Sequence, residues 1–251
     1  MAAAASSSTP LWRSASRSAT RRATRVRSVS DATAALRYGA RLTGGDGVAD
    51  RFVAVAGSIG VGKTTLTTYL TERYGFEPMF EPFATNPYLD DFYGDMRRWA
   101  FHSQIWFLSH KYRLHCDLER APGTIVQDRT IYEDAEIFAT NLYRSRKMPK
   151  SDYETYMELY RAMRSNLAPP DLLIYLKCSV RAIRRRIKQR GRPAEQAIPA
   201  SYLRRLNGLY DEWMESWDAC PVLVWDTEKM DYLGDLVDRI EFNRAIERFV
   251  Q

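Results

Sequence analysis

The sequence has 251 residues, of which 45% are hydrophobic, which suits one α/β domain of roughly 200 residues with an appended segment. No run approaches the roughly 18 to 20 uninterrupted apolar residues of a membrane-spanning helix, so we expect no membrane association. The net charge of +6 lies mainly in residues 1–50, which carry eight Arg and three Asp, whereas the other 201 residues carry 29 basic and 28 acidic side chains. A nearly neutral domain lacks the basic surface that nucleic-acid-binding proteins present.

Residues 1–45 form a leader of low complexity. Ala, Ser, Thr and Arg dominate it, Lys is absent, and the first acidic residue is Asp31. This composition is typical of a mitochondrial or plastid transit peptide. The alternative is a disordered tail or a start codon assigned too early, in which case we expect a cytoplasmic protein. Because the leader has few apolar residues, we predict that it is disordered and that the folded domain spans residues 51–251.

Five short apolar runs with helical patterns between them follow the leader. Runs that are apolar on both faces are typical of buried parallel strands, and their alternation with helices indicates βαβ crossovers. We therefore predict a three-layer α/β fold with a five-stranded parallel sheet. The predicted strands are Phe52–Ala56, Pro78–Phe80, Thr124–Gln127, Leu172–Leu176 and Val222–Trp225.

The helical patterns are long. Large residues recur every three to four positions along 95–119, which predicts a helix with one buried stripe. Pro169 and Pro170 end one helix just before the fourth strand. The other predicted helices are Ile131–Tyr143, Ser151–Leu167, Ser179–Gln189, Ala200–Trp217 and Leu233–Phe249.

A phosphate-binding motif follows the first predicted strand and precedes a predicted helix, Thr64–Arg73. Residues 57–64 have the sequence GSIGVGKT, which satisfies GxxxxGK[ST]. In this motif the glycines let backbone N–H groups face phosphate oxygens, Lys63 adds a positive charge, and the Thr64 hydroxyl is placed to bind Mg²⁺. We predict that ATP contacts Gly57, Ser58, Ile59, Gly60, Val61, Gly62, Lys63, Thr64 and Thr65.

Acidic residues follow the second and third strands, at the sheet edge where ligands of parallel sheets bind. Glu81 is either a base for an acceptor hydroxyl, a magnesium ligand, or an ordinary surface residue before a turn. Asp128 has the position of a Walker-B aspartate that holds Mg²⁺, and Arg129 beside it would neutralise charge on the transferring phosphoryl group. A salt-bridged turn is the alternative for Asp128 and Arg129.

The densest basic run of the domain lies in residues 184–192. Gly191 is expected to end a helix there, which places Arg190 and Arg192 on either side of a turn. We favour a lid whose arginines close over phosphates, since phosphoryl transfer depends on positioned charge. The alternative is a solvated helical face.

The motifs together resemble those of the deoxynucleoside kinase family, in particular its bacterial deoxyadenosine/deoxyguanosine kinases. The resemblance covers roughly residues 52–230. It rests, in order, on GSIGVGKTT, FEPFATNPYLDDFY, WAFHSQIWFL, QDRTIYEDAEIFATNLY, PDLLIYL and IKQRGRPAEQ. It implies a P-loop kinase fold with an Arg-rich lid, and a homodimeric salvage enzyme that uses ATP and Mg²⁺ to phosphorylate the 5′-hydroxyl of a deoxynucleoside.

The resemblance also implies roles for individual residues. Glu81 would be the general base, and Arg129 would act at the phosphoryl centre beside Asp128. Gln104 would hydrogen-bond the base edge, and Tyr93 with Glu195 would hold the sugar 3′-hydroxyl. Further implied contacts are an acidic base contact at Asp134 with Lys111 as its basic partner, lid arginines at Arg186, Arg190 and Arg192, and a base pocket lined by Trp99, Phe107 and Phe138.

The predicted activity is therefore phosphorylation of deoxyadenosine or deoxyguanosine, with deoxycytidine as the next candidate. A thymidylate-type nucleoside monophosphate kinase is one alternative, but Glu81 would repel the phosphate of such an acceptor. A P-loop switch or nucleic-acid ATPase is the other alternative. The guanine-binding NKxD motif is absent from the sequence, and the domain has no basic track for a nucleic acid.

Overall fold

The computed structural model describes residues 26–27, 51–80, 85–118 and 121–250. The predicted leader therefore lies outside the described residues, except for a two-residue strand within it. None of the helices in the described ranges has the length and apolar character needed to cross a bilayer.

The centre of the domain is a parallel sheet of five strands, in the order β6-β5-β2-β4-β3. Its three inner strands are buried along almost their whole length, as the apolar runs predict. Strand β1 adds an antiparallel pair to the β6 edge, which the sequence did not predict. The strands are β1 (Val26–Arg27), β2 (Phe52–Ala56), β3 (Glu77–Met79), β4 (Ile125–Asp128), β5 (Leu172–Lys177) and β6 (Val222–Asp226).

Helices cover both faces of the sheet, so two cores of buried side chains form. The predicted helices are present with ends that differ by a few residues. The helices are α1 (Lys63–Tyr74), α2 (Leu89–Gly94), α3 (Met96–Leu118), α4 (Ile131–Glu133), α5 (Thr140–Arg144), α6 (Lys150–Arg164), α7 (Val180–Arg190), α8 (Pro193–Gln196), α9 (Ala200–Ser216) and α10 (Leu236–Val250), of which the short α2 and α8 were not predicted.

A π-helical segment, Asp134–Ala139, joins α4 to α5 and makes one continuous helical run. The sequence pattern predicted an ordinary α-helix here. Hydrogen bonds from residue i to i+5 widen the turn, and such segments occur frequently at functional sites. The Thr140 hydroxyl donates a hydrogen bond of 2.9 Å to the Ala135 carbonyl within this run.

The sheet order fixes where a site can form. Strands β2 and β4 are parallel neighbours, with Val55 paired to Asp128 in register. The residues that follow these two strands therefore leave the sheet at the same edge, side by side. These residues are the GxxxxGKT loop after β2 and the Asp128-Arg129-Thr130 turn after β4.

Candidate active site

The GxxxxGKT loop turns sharply out of β2 because Gly57 occupies backbone space that no other residue could use. Gly57 has φ 145°, and a Cβ atom there would lie 2.6 Å from the carbonyl oxygen of Leu176. Gly62 has φ 112° and caps the N-terminus of α1. The loop thus leads directly into the positive end of a helix dipole, which favours a bound phosphate.

Lys63, the first residue of α1, is buried and points back into the loop. Its ammonium donates hydrogen bonds to the carbonyl oxygens of Gly57 (2.8 Å) and Ser58 (3.2 Å). The charge is therefore held inside the loop, near the backbone groups that the motif uses for phosphate. This location fits the predicted role of Lys63 at the donor phosphates.

Thr64 and Asp128 meet across the two strand ends. The Thr64 hydroxyl donates a hydrogen bond of 2.6 Å to Oδ2 of Asp128. The second carboxylate oxygen of Asp128 is buried and has no hydrogen-bond partner within the described part of the chain. The two residues predicted as metal ligands thus place three oxygen atoms next to the phosphate loop.

Arg129 follows β4 in a backbone conformation that is unusual for a residue with a side chain. Its φ is 63°, and its N–H donates a hydrogen bond of 3.1 Å to the Val55 carbonyl. Its guanidinium carbon lies 4.5 Å from the Phe138 ring centroid, and its Nε lies 3.9 Å from a carboxylate oxygen of Glu133. A left-handed non-glycine residue costs roughly 1–3 kcal/mol, so the surrounding contacts must hold it there.

Glu133 is a site residue that the sequence reasoning missed. Its carboxylate is fully buried, and this burial raises the pKa of Glu133 while the charges of Arg129 and Lys63 oppose the rise. The signal that could have found it is the capping box of Thr130 with Glu133 three residues later, which the structure contains.

An acceptor cleft, open at its mouth, lies beside the loop. It collects most of the side chains that the resemblance assigned to the nucleoside: Tyr93, Gln104, Arg129, Asp134 and Glu195. Phe107 and Phe138 supply apolar walls, and Tyr202 of α9, which was not predicted, lines the cleft with them.

The expectation for Trp99 is wrong. Its ring packs on Tyr88, with centroids 5.8 Å apart, and on His102 at 5.3 Å, and it does not line the cleft. Large aromatic residues at helical spacing commonly serve as packing, and Trp99 belongs to a small satellite cluster around Phe92.

Lys111 and Asp134 form a buried ion pair at one wall of the cleft. Lys111 Nζ lies 2.7 Å from Asp134 Oδ1, and the two side chains are 1% and 4% exposed. Asp134 lines the cleft, whereas Lys111 stands behind it with its ammonium 5.6 Å from the Phe107 ring centroid. Lys111 therefore touches Asp134 rather than the cleft itself.

Asp134 and Phe138 of the π-helical segment, four positions apart, both line the cleft. Residues four positions apart lie on the same face of a helical run. No pattern in the sequence distinguishes this segment from an α-helix.

A donor cleft lies on the other side of the loop. It is lined by residues 60–65 of the loop and α1, by Arg186 and Arg190 of α7, and by residues 227 and 230–233 after β6. The sequence analysis did not predict the contribution of the segment after β6. The two clefts share Gly60, Lys63, Thr64 and Arg190, so a bound phosphate chain in one would reach the other.

Arg186 differs from the expectation of a mobile lid residue. It lies within α7, where its guanidinium donates to the Val61 carbonyl (2.8 Å) and to the Thr227 hydroxyl (2.8 Å) and carbonyl (2.9 Å). Arg186 thus ties the phosphate loop to the end of β6. It lines the donor cleft as a fixed wall.

The lid is a short turn between α7 and α8 rather than a long loop. Gly191 ends α7 with φ 72°, so Arg190 and Arg192 flank the turn as predicted. Both arginines contact the buried carboxylate of Glu195, Arg190 through a close ion pair and Arg192 at 3.5 Å. Arg190, Arg192 and Glu195 all line the acceptor cleft.

The predicted general base, Glu81, lies outside the described residues. The strand that precedes it in the sequence, β3, is adjacent to β4 in the sheet. Its role is a prediction from the sequence alone.

The chain is similar in sequence and in fold to known proteins. A sequence model of the family described as deoxynucleoside kinase matches residues 53–251. The deoxyadenosine/deoxycytidine kinase of Bacillus subtilis (strain 168) is 43% identical over 185 residues, which cover 73% of this chain and 85% of that protein. The deoxyguanosine kinase of the same organism is 31% identical over 197 residues, 77% of this chain and 93% of that one.

A solved structure is similar as well. The deoxyadenosine kinase from M. mycoides with bound dATP aligns with a TM-score of 0.69 and 30% identity, and the alignment covers 79% of this chain and 99% of that one. The family match spans more than half of the chain, and the GxxxxGKT loop, the Asp-Arg-Thr turn and the arginine lid all surround one site. The chain therefore belongs to the deoxynucleoside kinase family.

Proposed function

We propose that this deoxynucleoside kinase transfers the γ-phosphoryl group of ATP to the 5′-hydroxyl of deoxyadenosine or deoxyguanosine, with deoxycytidine as a further acceptor. The observation that carries this proposal is the junction of the two clefts. The donor cleft and the acceptor cleft meet at Lys63, Thr64 and Arg190, so a phosphoryl group at the junction would face both substrates. The relatives from Bacillus subtilis, named for deoxyadenosine, deoxycytidine and deoxyguanosine, support the choice of acceptor.

The donor side binds and orients the triphosphate. The loop N–H groups and the N-terminus of α1 would face the phosphates of ATP. Lys63 would add a positive charge that the protein holds in a fixed position beside them. Arg190 and Arg192 approach from the lid. Catalysis of phosphoryl transfer rests almost wholly on such positioned charge, since the transition state spreads negative charge over the phosphoryl oxygens.

The residues present fit a magnesium ion. Thr64 and Asp128 would hold it, since Mg²⁺ prefers oxygen ligands and commonly takes one or two from the protein and the rest from phosphate and water. The buried Asp128 oxygen without a partner among the described residues would be one such ligand atom. When bound, the ion would neutralise charge on the phosphate oxygens.

The acceptor side fixes the nucleoside. Gln104 and Asp134 would contact the base edge, Phe107 and Phe138 would pack on its faces, and Glu195 with Tyr93 would hold the sugar. We propose that Glu81 takes the proton of the 5′-hydroxyl as it attacks phosphorus. Arg129 would then stabilise the negative charge on the phosphoryl group during its transfer.

An ADP-release assay over a panel of acceptors tests the proposal. We expect release with deoxyadenosine, deoxyguanosine and deoxycytidine, and background rates with nucleoside monophosphates and with DNA. Turnover driven by thymidylate or by DNA would instead favour the monophosphate kinase or the nucleic-acid ATPase, neither of which the family match supports.

The homodimer implied by the family resemblance stays a prediction. Helix α3 is its proposed contact, since the stacked rings of Trp106 and His110, with centroids 3.7 Å apart, are partly exposed on it. Sedimentation of the full chain at micromolar concentration would show whether one or two copies are present.

A further inference from the structure

The Glu133 carboxylate spans the two strand ends that form the active site. Its Oε1 accepts a hydrogen bond of 3.2 Å from the N–H of Gly57, the first residue after β2. Its Oε2 accepts one of 3.1 Å from the N–H of Thr130, two residues after the end of β4. One carboxylate therefore joins the first peptide of the phosphate loop to the peptide that follows Arg129.

Tyr210 of α9 contacts both Glu133 and the phosphate loop. Its hydroxyl lies 2.6 Å from Glu133 Oε1 and 2.9 Å from the Gly57 carbonyl oxygen, so its single proton is shared between two acceptors. The Gly57 carbonyl also receives the Lys63 ammonium at 2.8 Å. Gly57 is thus held at its N–H by Glu133 and at its carbonyl by Tyr210 and Lys63.

Glu133 also acts on Arg129 from two directions. The bond to Thr130 fixes the peptide on the carboxyl side of Arg129, and the Glu133 carboxylate lies 3.9 Å from the Arg129 guanidinium. Because Arg129 has a left-handed backbone at φ 63°, it would relax if these contacts were lost. Its guanidinium would then leave the position it has beside the junction of the clefts.

Burying a carboxylate is costly, but Glu133 supplies acceptors to two backbone N–H groups that an apolar side chain of similar volume would leave unpaired. Glu133 has no exposed surface, so it cannot touch either substrate directly. This burial raises the pKa of Glu133, and the charges of Arg129 and Lys63 oppose the rise.

We propose that Glu133, completed by Tyr210, is a positioning residue that holds the phosphate loop and Arg129 in one fixed relation. Donor phosphates lie on the loop, and Arg129 faces the acceptor side, so this relation sets the geometry of phosphoryl transfer. The inference rests on the proposed function. A misplacement of about 1 Å in such a site can cost about 100-fold in rate.

Glu133→Gln is the central test, because Gln keeps the size but offers one oxygen where two N–H groups need acceptors. We expect kcat to fall about 10- to 100-fold, with the KM values for ATP and deoxyadenosine within about threefold of wild type. A partly unfolded sample would give the same pattern, so a second measurement is required.

The second measurement is a double-mutant cycle that combines Glu133→Gln with Arg129→Ala. If Glu133 acts through Arg129, adding Glu133→Gln to Arg129→Ala should lower kcat by less than about threefold further. If Glu133→Gln lowered kcat only by reducing the amount of folded protein, it would lower kcat by the same factor in the Arg129→Ala background as in the wild type.

Tyr210→Phe, compared with Tyr175→Phe, keeps the proposal testable if Glu133→Gln does not fold. The two rings stack with centroids 5.7 Å apart, but the Tyr175 hydroxyl donates to Asp211 and not to the loop. We expect Tyr210→Phe to lower kcat by about tenfold and Tyr175→Phe to leave it within about twofold. Equal losses of kcat in Tyr210→Phe and Tyr175→Phe would overturn the proposal. So would additive losses of kcat in the double-mutant cycle, or a wild-type kcat in Glu133→Gln. An inactive wild type would overturn the proposed function instead.

Discussion

The Thr64 hydroxyl and the Asp128 carboxylate are 2.6 Å apart, which joins the start of α1 to the end of β4. Their sequence separation is 64 residues, and the parallel pairing of β2 with β4 brings them together. A hydroxyl and a carboxylate at this distance can share one magnesium ion that also contacts the donor phosphates. This relationship gives the first prediction.

We expect Asp128→Asn to lower kcat by about 100-fold or more and to raise the Mg²⁺ concentration required for half-maximal rate. The amide keeps the shape but removes the negative charge that attracts the ion. The measurement is a titration of rate against Mg²⁺ at fixed ATP. Thr64→Ser, which keeps the hydroxyl, is the matched control and should stay within about threefold of wild type. Superimposable Mg²⁺ titrations for Asp128→Asn and wild type would contradict the metal assignment.

Glu81→Gln should keep ATP binding and lose most turnover. A positioned general base contributes about 10²- to 10⁴-fold, or roughly 3 to 5 kcal/mol of barrier. ATP affinity by calorimetry and single-turnover rate with deoxyadenosine are the measurements. Glu77→Gln is the control, because Glu77 is an exposed carboxylate on the same strand, β3. A single-turnover rate above a third of wild type would show that Glu81 is not the base.

The sequence predicted the parts of this site that depend on local pattern. The GxxxxGKT loop, the five parallel strands and the arginines around Gly191 each follow from spacing or from residue type, and the structure contains them. The family resemblance predicted that Lys111 and Asp134 are partners, and the structure places their charged atoms 2.7 Å apart.

Residues whose role depends on tertiary packing were not predictable in the same way. Tyr210 of α9 meets the loop at the Gly57 carbonyl, 153 residues away in sequence. Trp99 was misassigned because a large residue at helical spacing does not reveal which face the cleft occupies. The π-helical segment was missed because its hydrogen-bond pattern has no distinct sequence period.

Glu195→Gln should weaken recognition of the sugar. The Glu195 carboxylate is buried beside the acceptor cleft and holds Arg190 and Arg192. A hydrogen bond to a charged group is worth about 1.5–3 kcal/mol, so we expect kcat/KM for deoxyadenosine to fall about 10- to 150-fold. The control is the substrate 2′,3′-dideoxyadenosine, which lacks the 3′-hydroxyl and should lose much less. Equal losses for both substrates would mean that Glu195 acts on the lid arginines alone.

The base preference is the last prediction, and it follows from the acceptor atoms at the cleft wall. Gln104 is buried, and its carbonyl oxygen has no hydrogen-bond partner among residues 51–80, 85–118 and 121–250. Asp134 lines the same wall, and its Oδ1 lies 2.7 Å from the Lys111 ammonium. Adenine and cytosine carry an exocyclic amine that can donate to these oxygens, whereas thymine presents a carbonyl.

Thymidine would leave buried polar groups unpaired, at about 1–3 kcal/mol each, so kcat/KM for deoxyadenosine should exceed that for thymidine by at least about tenfold. Asp134→Asn should narrow this gap, because an amide can turn its N–H₂ toward a carbonyl. The variant also leaves the buried Lys111 ammonium without its Asp134 counter-ion, which costs about 3–5 kcal/mol, so the melting temperature must be measured alongside. Lys111→Met combined with Asp134→Asn removes that charge and is the matched control. A competition assay with deoxyadenosine and thymidine measures this preference. Thymidine as the preferred substrate of the wild type would contradict the proposed base contacts but would not affect the role proposed for the phosphate loop.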